Sequence, residues 1–600
     1  MSRDTIPDRV RHHARTRADR PAFYFQDQGG AWRPTSWGEY GERAMDFAGA
    51  LLALGYGVGQ GVAIVSNNRP EWIIAATGAM IARAVPAGIY PTLTPDQVAY
   101  VARHCEAKVV VVEDATQWAK LEAERANLPS LERVVMIVGA DAVKDARVIG
   151  FEAFLAGGRA HREAAEARFS ELQDEDLGTL IYTSGTTGPP KGVMLSHASL
   201  AWTSATARQV VGADPDVDCM VSYLPLSHIA EQMFSVHLPA TAGYPIWITD
   251  RFDKLKDTLV AARPTLFMGV PRVWEKFGAA LEKKLSEATG LKAAIIAWAR
   301  RVGTRAADDV VRHGAPSGLL GLQYRLAEKL FYGKLREQLG LDRLRVAVTG
   351  AAPIGKDVLA FFQSLGILIH EVYGQSEDCG PTTFNQPRPG KRKPGTVGLP
   401  FPGVDVRIAD DGEILVRGPN VFAGYYKEPE ATAEALSPDG WLHSGDIGDF
   451  DAEGFLRITD RKKDLIITAG GKNVAPQNIE KLLKGIAGVG QAVVLGDQRK
   501  YLTALLTIDA EAGPAVAQQR GWPTEPAALA EHPEFQAHVQ RGVDTANAEL
   551  ARYEQIKRWR LLPVDFSVEG GELTPTQKVK RKVVAQRYAN EINGLYDGAG

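Results

Sequence analysis

The chain has 600 residues, of which 45% are hydrophobic and 24% are charged, as in ordinary globular proteins. This composition excludes disordered and fibrous classes, and the length predicts several domains because single cores rarely grow beyond roughly 250–300 residues. The formal net charge of −3 gives no overall electrostatic reason to expect nucleic-acid binding.

The sequence predicts neither a targeting signal nor stabilisation by disulfides or zinc. Residues 1–21 are charged throughout and lack the apolar segment of a secretory signal. The apolar run that starts at Trp72 contains Arg83 and Pro86, which favours a buried helix followed by a turn over a membrane span. Three widely spaced cysteines predict neither a disulfide framework nor a zinc site and favour a reducing cytoplasm; they are Cys105, Cys219 and Cys379.

Short β-branched runs alternate with helical periodicity over the first two thirds of the chain. The runs cover residues 62–68, 108–114, 133–139, 219–228, 244–249, 265–271 and 343–353. Strands separated by helices predict layered α/β sheets with parallel strands. Ligands of such folds bind at loops that follow the carboxyl ends of the strands.

A mainly helical insert, about residues 273–340, interrupts this alternation. Its longest helical pattern, residues 291–312, places five apolar residues on one face, with Lys292, Arg300 and Arg301 nearby. That face could pack against the rest of the N-terminal domain or contact anionic lipid. Its residues are Leu291, Ala294, Ile295, Trp298 and Val302.

The pattern changes again near Pro400, where short alternating strands predict a smaller β-rich subdomain over about residues 395–460. Charged residues from Asp460 to Leu465 then interrupt the strand pattern. We therefore expect an N-terminal domain of residues 1–460 and a smaller α+β domain of residues 461–600.

The stretch YTSGTTGPPKG, residues 182–192, combines glycines and hydroxyl side chains with one lysine. Glycines let backbone N–H groups turn toward a ligand, hydroxyls add donors, and Lys191 adds a charge, which together suit a polyphosphate. The spacing from Gly185 is not that of a Walker A loop, and Gly192 stands where such a loop carries a magnesium-binding hydroxyl. A P-loop ATPase is therefore disfavoured, and a solvent-exposed turn is the alternative for this composition.

Two further stretches, TGAAP (residues 349–353) and EVYGQSED (residues 371–378), each follow an apolar run. Small residues allow close approach of a flat ring, and Tyr373 offers a stacking face. Ser376 supplies a hydroxyl, and Glu377 supplies an oxygen ligand suited to Mg²⁺. Each stretch taken alone is also a common turn.

Three residues of the last third of the chain are candidates for nucleotide contacts. Asp446 lies between glycines, where its carboxylate could accept hydrogen bonds from ribose hydroxyls. Arg461 is a plausible ribose or phosphate partner, and Lys578 lies in a basic cluster. The structural alternative is an Asx-turn for Asp446, a charged domain boundary for Arg461 and a solvated face for Lys578.

In this order and at these spacings, the stretches resemble the adenylate-forming superfamily of acyl-CoA synthetases, luciferases and peptide-synthetase adenylation domains. The resemblance covers about residues 21–584. It is closest to long-chain fatty acyl-CoA synthetases, and in particular to their bubblegum-type branch. The segments that carry it are SYLPLSHIAEQ (222–232), GVPRVWEKF (269–277), YGQSE (373–377), LIITAGGKNVAP (465–476) and LTPTQKVKRK (573–582).

The resemblance implies an enzyme that first converts a fatty carboxylate and MgATP into acyl-AMP and pyrophosphate, and then transfers the acyl group to CoA. The implied catalytic residues are Lys578, Glu377, Ser376 and Lys191, with Glu377 as the Mg²⁺ ligand. The implied ATP-binding residues are Thr183, Ser184, Gly185, Thr186, Thr187, Gly188, Lys191, Gly350, Ala351, Ala352, Tyr373, Gly374, Asp446 and Arg461.

The resemblance further implies a mobile C-terminal domain that rotates about Lys463 and brings Gly470 and Gly471 to the CoA channel. Residues 224–246 are the candidate lining of an acyl tunnel, with His228 near its adenylate end; a satisfied core histidine is the alternative. Some long-chain relatives carry a gate tryptophan where this chain has Gln232. The selectivity for chain length therefore stays open.

Three other interpretations assign a different acyl acceptor, a different substrate or no catalytic activity. A fatty acyl-AMP ligase would load a carrier protein, but no obvious insertion lies between residues 456 and 467. An amino-acid activator would carry an aspartate that YLPLSHIAE lacks, and a noncatalytic protein would have damaged motifs.

The expected partners are fatty acid, ATP and CoA, without nucleic acid. A homodimer and peripheral contact with the inner membrane face of a cytoplasmic protein are further expectations.

Overall fold

The computed structural model describes residues 3–183, 189–469, 472–574 and 579–596. Its first sixteen strands are β1 (Pro21–Gln26), β2 (Trp32–Ser36), β3 (Gly61–Val65), β4 (Val85–Ile89), β5 (Val109–Val112), β6 (Arg133–Met136), β7 (Val148–Gly150), β8 (Leu177–Thr183), β9 (Lys191–Ser196), β10 (Met220–Ser222), β11 (Ile246–Ile248), β12 (Leu266–Met268), β13 (Val346–Thr349), β14 (Ile369–Tyr373), β15 (Thr383–Phe384) and β16 (Leu399–Pro400).

The later strands are β17 (Asp405–Ile408), β18 (Glu413–Arg417), β19 (Gly424–Tyr425), β20 (Leu442–Phe450), β21 (Leu456–Arg461), β22 (Ile466–Ile467), β23 (Asn473–Val474), β24 (Val489–Leu495), β25 (Leu502–Ile508) and β26 (Ile556–Leu562).

The helices up to the insert are α1 (Ile6–Thr16), α2 (Trp37–Ala53), α3 (Pro70–Ile81), α4 (Pro95–His104), α5 (Ala115–Ala123), α6 (Phe151–Gly158), α7 (Arg162–Ser170), α8 (His197–Val211), α9 (Ile229–Gln232), α10 (Leu238–Ala242) and α11 (Leu255–Ala262). A π-helical turn, Met233–His237, joins α9 to α10.

The remaining helices are α12 (Pro271–Ser286), α13 (Gly290–His313), α14 (Gly318–Ala327), α15 (Gly333–Leu339), α16 (Lys356–Ser364), α17 (Pro429–Ala435), α18 (Pro476–Lys484), α19 (Ala512–Arg520), α20 (Pro526–Ala530), α21 (Pro533–Ala548), α22 (Arg581–Arg587) and α23 (Ala589–Gly594). A second π-helical turn, Glu328–Tyr332, joins α14 to α15.

Two large sheets contain most of the predicted strands. The nine-stranded sheet has the order β16-β15-β14-β13-β12-β10-β11-β1-β2, and its six strands from β14 to β1 are mutually parallel. The eight-stranded sheet has the order β19-β9-β8-β4-β3-β5-β6-β7, with antiparallel pairing only at its β19-β9-β8 end. The prediction of layered α/β sheets is confirmed.

Three smaller sheets contain the later strands other than β19. Their orders are β17-β18-β20-β21, β22-β23 and β24-β25-β26. The contacts divide the chain into two compact units. The first comprises Met1–Arg407, Leu415–His443 and Gly454–Leu456, and the second comprises Ile408–Ile414, Ser444–Glu453 and Arg457–Gly600. The domain boundary expected after residue 460 stays a prediction.

The apolar run at Trp72 forms the fully buried helix α3, a turn and strand β4. Arg83, in that turn, has a positive φ of 55°. Among the residues described, no helix has the length and apolar character needed to cross a bilayer.

The predicted apolar face of the long insert helix, α13, is confirmed only in part, since Val302 is buried in a core cluster and Trp298 packs against that cluster. Leu291 is 78% exposed, whereas Ile296, Ala299 and Val302 belong to a buried core cluster. A Cβ at Gly303 would lie 2.6 Å from the carbonyl oxygen of Ser364, so the helix approaches its neighbour closely there. The packed face therefore combines the larger residues Ile296 and Val302 with small residues that allow close contact.

Candidate active site

Two predicted stretches meet at the carboxyl edge of the nine-stranded sheet. Strands β13 and β14 are parallel neighbours, with Thr349 opposite Glu371. Gly350 follows β13, and Gly374 follows β14, so both loops leave the sheet at the same edge. This is the edge at which α/β folds bind ligands.

The backbone of both loops requires small residues. A Cβ at Gly350 would lie 2.6 Å from Cγ1 of Val372, and a Cβ at Gly374 would lie 1.4 Å from the carbonyl oxygen of Gly380. Ala351 adopts a φ of 66°, which is uncommon for a residue other than glycine. Ala352 is exposed and Tyr373 is buried. Both glycines are therefore required by close packing within the protein.

Lys191 and Glu377 converge on one tyrosine. Lys191 begins β9 and pairs with Thr183 at the end of β8. Its Nζ lies 4.9 Å from the ring centre of Tyr425. The hydroxyl of Tyr425 donates to Oε1 of Glu377 over 2.8 Å. Burial and the neighbouring carboxylate raise the pKa of Tyr425 well above its usual range, so that the phenol remains a donor.

Tyr425 was not identified from the sequence. It reaches the site because β19 pairs with β9, which places Tyr425 opposite Val193. The only local signal is an aromatic pair, Tyr425 and Tyr426, and that pair by itself does not indicate a site.

Ser376 and Glu377 lie in a short 3₁₀ turn directly after β14. Ser376 is buried, whereas Glu377 is half-buried. The backbone carbonyl of Glu377 accepts from the N–H of Phe422, and the carboxylate of Asp378 accepts from the N–H of Gln375. The turn is thus anchored on both sides while the Glu377 carboxylate stays partly accessible.

His228 caps the short helix α9. Its Nδ1 accepts from the backbone N–H of Ala230 over 3.1 Å, so a neutral ring carries its proton on Nε2. Gln232 is buried, and its side chain donates to the carbonyl of Leu226 over 2.9 Å. Gln232 therefore fixes the backbone of the His228 loop.

Below this loop lies a buried carboxyl that the sequence did not single out. Glu231 accepts hydrogen bonds from the hydroxyls of Ser222 and Ser235, each over 2.6 Å. Burial raises the pKa of Glu231 to about 7, against the opposing effect of the two hydroxyls.

In the second unit, the structure brings Asp446 and Arg461 together. Nε of Arg461 donates to Oδ1 of Asp446 over 3.1 Å, with Asp446 buried and Arg461 exposed. The N–H of Asp446 donates to Ser444, and the N–H of Gly445 donates to Glu413. Lys463 lies in an exposed turn after β21.

Several predicted residues lie outside the described part of the chain. They are Ser184, Gly185, Thr186, Thr187, Gly188, Gly470, Gly471 and Lys578. The flanks of two of these stretches are fixed: Thr183 pairs with Lys191, and Leu573 pairs with Val579.

Within residues 3–183, 189–469, 472–574 and 579–596, no group of three or more His, Cys, Asp or Glu side chains could hold a metal. Magnesium does not require such a group, because it is usually bound by one or two carboxylates together with substrate phosphates and water. The partly accessible Glu377 carboxylate fits this mode of binding.

Family models match most of the chain. Residues 10–426 match the model of the AMP-binding enzyme, and residues 463–600 match that of the AMP-binding enzyme C-terminal domain. The long-chain-fatty-acid–CoA ligase ACSBG2 of Xenopus laevis is 37% identical over 96% of this chain and 81% of that protein. The long-chain-fatty-acid–CoA ligase FadD15 of Mycobacterium tuberculosis is 37% identical over 95% of this chain and 93% of that protein.

Solved structures show the same fold at low sequence identity. The anthranilate CoA ligase AuaEII, in complex with anthranoyl-AMP, gives a TM-score of 0.75 at 19% identity over 99% of this chain and 98% of that chain. The adenylation domain of a carboxylic acid reductase from Segniliparus rugosus gives 0.73 at 20% identity over 99% of this chain and 94% of that chain.

Proposed function

Because the chain belongs to the family of AMP-binding enzymes, we propose that it is an ATP-dependent, AMP-forming long-chain fatty acid–CoA ligase. The observation that carries the proposal is the convergence of Lys191 and Glu377 on Tyr425 beside the sheet edge. Relatives named as long-chain fatty acid–CoA ligases, which match nearly the whole chain, support the substrate class.

The first reaction must bring together two anions, the fatty carboxylate and the α-phosphate of ATP. A carboxylate oxygen is a poor leaving group. The carboxylate therefore attacks the α-phosphate of ATP and displaces pyrophosphate, which gives an acyl-AMP with AMP as the good leaving group. Positive charge has to offset the repulsion between the anions in the transition state. Lys191 supplies such charge from β9, next to the proposed phosphate loop of residues 183–188. Lys578 supplies a second charge near the carboxylate and α-phosphate, and the hydroxyl of Ser376 hydrogen-bonds the same groups.

Glu377 would hold Mg²⁺, and the hydrogen bond from Tyr425 to its Oε1 fixes the orientation of the carboxylate. The bound ion would neutralise charge on the phosphates.

Adenine would lie against the small-residue loops, between residues 350–352 on one side and Tyr373 and Gly374 on the other. Asp446 and Arg461 would bind the ribose. Since Oδ1 of Asp446 already accepts from Arg461, the paired arginine orients the carboxylate as an acceptor for ribose hydroxyls.

In the second step, the acyl group passes from AMP to the sulfur of CoA. We assign the change between the two steps to rotation about Lys463, which would remove Lys578 and bring Gly470 and Gly471 to the CoA channel. The exposed turn that holds Lys463 can absorb such a change in backbone angles. His228 would lie at the adenylate end of the acyl site.

We also propose that the insert contacts an anionic membrane surface through α14 and the turn after it, rather than through the face first predicted on α13. Four leucines on one side of this segment are 40–73% exposed: Leu319, Leu322, Leu326 and Leu330. Arg325, Lys329 and Lys334 are exposed beside them.

The positive charge of the insert supports contact with an anionic membrane through this surface. Residues 271–339 contain thirteen Lys and Arg but seven Asp and Glu, in a chain whose net charge is −3. Leucines flanked by basic residues suit the interface of an anionic bilayer. The location would be cytoplasmic, where the three cysteines, all free and buried, stay reduced.

Flotation tests this surface. The protein should float with vesicles that contain phosphatidylglycerol but not with phosphatidylcholine alone, and Leu322→Asp with Leu326→Asp should abolish flotation. Equal flotation of wild type and double variant would exclude this surface.

The activity itself is tested by following thioester, AMP and pyrophosphate with carboxylic acids from acetate to very long fatty acids. We expect the highest kcat/KM at long chains, with one AMP formed per acyl-CoA. Pyrophosphate release without thioester would instead identify a ligase that loads a carrier protein.

A further inference from the structure

A cavity lies at the edge of the nine-stranded sheet opposite the candidate active site, at the amino ends of β13 and β14. Its volume is about 280 Å³, far more than the ~10–15 Å³ that a cavity needs to hold one water. The end of α13 and the segment of residues 386–392 complete its walls. Strand length separates this cavity from the loops at Gly350 and Gly374.

Arg392 is the most unusual residue of this cavity. It is only 5% exposed, and its Nε and Nη1 have no hydrogen-bond partner among the described residues. The carboxylate of Glu371 interacts electrostatically with Arg392. It already accepts hydrogen bonds from the N–H of Gly395 over 2.9 Å and from the side chain of Asn385. Burial lowers the pKa of Arg392 to about 10, against the opposing effect of Glu371. A buried guanidinium with unused donors is costly unless an anion meets it.

Three further arginines line the cavity, but they differ in their partners. Arg336 pairs with Glu328, and Arg345 pairs with Asp218 over 2.6 Å. Arg388 is exposed, and its guanidinium bonds only the neutral carbonyl of Gln209, over 3.0 Å, among its contacts with described residues. Arg388 and Arg392 are therefore the two cations available to a ligand.

The other lining residues add no negative charge. Among the described residues that line the cavity there is no Asp or Glu. His370 is buried and donates from Nδ1 to the carbonyl of Asn385 over 2.7 Å, and burial together with Arg392 lowers its pKa to about 3, so it stays neutral. One wall is apolar and consists of Val310, Val311, Leu344, Ile367 and Leu368.

We propose that this cavity binds a phosphomonoester, with the phosphate on Arg392 and Arg388 and the organic part against the apolar wall. The planar fork of an arginine matches two phosphate oxygens, and such charge-assisted bonds are stronger than neutral ones. The volume accommodates more than a phosphate ion, and the apolar wall favours an ester that carries a hydrocarbon or ring. The inference does not depend on the proposed ligase activity, because no residue assigned to catalysis lines the cavity.

Calorimetric titration of the full chain with phenyl phosphate tests the site, with inorganic phosphate and phenol as the two halves of the probe. Wild type should bind phenyl phosphate more tightly than either half. Arg392→Gln and Arg388→Gln should each weaken binding by about tenfold, the effect of losing one charge-assisted contact.

Arg343→Gln is the matched control, because Arg343 is exposed nearby, donates to the carbonyl of Val217 and does not line the cavity. Lys191→Ala separates this site from the proposed nucleotide site and should leave binding unchanged. Failure of folded wild type to bind, loss of binding in Lys191→Ala, or full binding by Arg388→Gln would each overturn the proposal. Because Arg388 is exposed, Arg388→Gln should fold, and its binding of phenyl phosphate tests the proposal even where Arg392→Gln does not fold.

Discussion

Strands β13 and β14 run side by side, and their two ends present different surfaces. At the carboxyl end, Gly350 and Gly374 pack too closely against neighbouring atoms to admit a side chain, and Glu377 is held by Tyr425. At the amino end, Arg388 and Arg392 face a cavity with an apolar wall. One pair of strands thus carries a candidate catalytic edge and a separate anion-binding edge.

The comparison of the two edges shows how strand direction determines which residues come together at a site. Each loop at the carboxyl edge follows its own strand directly, so the parallel pairing alone brings the loops together. The amino edge collects residues from several distant segments, including the end of α13 and the loop before Arg392. The first edge is therefore encoded in short local stretches, whereas the second depends on tertiary packing.

The largest expected effect is that of Glu377→Gln on the adenylation step. Removing the charge while keeping the shape should lower fatty-acid-dependent adenylation by roughly 100-fold, because the carboxylate is the proposed ligand of Mg²⁺. Single-turnover formation of acyl-AMP at several Mg²⁺ concentrations measures this loss. An unchanged rate would remove Glu377 from the mechanism and with it the functional contrast between the two edges.

Gly374→Ala should destabilise the carboxyl edge. Its Cβ would meet the Gly380 carbonyl at 1.4 Å, and the backbone shift should cost about 2–3 kcal/mol of unfolding free energy. Denaturant titration measures this cost. Gly157→Ala, in α6 with no atom within 4 Å of the added Cβ, should be neutral or slightly stabilising. Equal stability of the two variants would show that the close approach at Gly374 is not a constraint.

Tyr425→Phe should have a smaller effect than Glu377→Gln. It removes the hydrogen bond to Oε1 of Glu377 but keeps the carboxylate and the ring under Lys191. We expect about a tenfold loss of kcat or less, with a higher Mg²⁺ concentration needed for half-maximal rate. A loss as large as that of Glu377→Gln would mean that the phenol itself contacts a reacting group.

Arg392→Gln should have the smallest effect on catalysis. Since Arg392 lies at the amino edge, adenylation measured without an added phosphomonoester should stay within about twofold of wild type. A tenfold fall in a folded variant would show that the two edges are functionally coupled.

Much of the α/β architecture was predictable, because β-branched runs alternate with helical periodicity and strands form within all seven runs. The buried face of α13 was predictable only in part, since Val302 is buried as expected, whereas Leu291 is exposed and Ile296 is buried instead. The sequence identified Lys191 and Glu377 as site candidates but not Tyr425, whose position depends on the pairing of β19 with β9. Nor does any local pattern mark Arg392, because its significance comes from burial among distant segments.

ATP–pyrophosphate exchange driven by a long-chain fatty acid, compared between wild type, Glu377→Gln and Arg392→Gln, tests most directly whether the carboxyl edge is the catalytic one. We expect exchange that requires the fatty acid but not CoA, that falls roughly 100-fold in Glu377→Gln, and that persists in Arg392→Gln. Exchange that is independent of fatty acid, or that survives in Glu377→Gln and is lost in Arg392→Gln, would contradict the assignment of catalysis to the carboxyl edge.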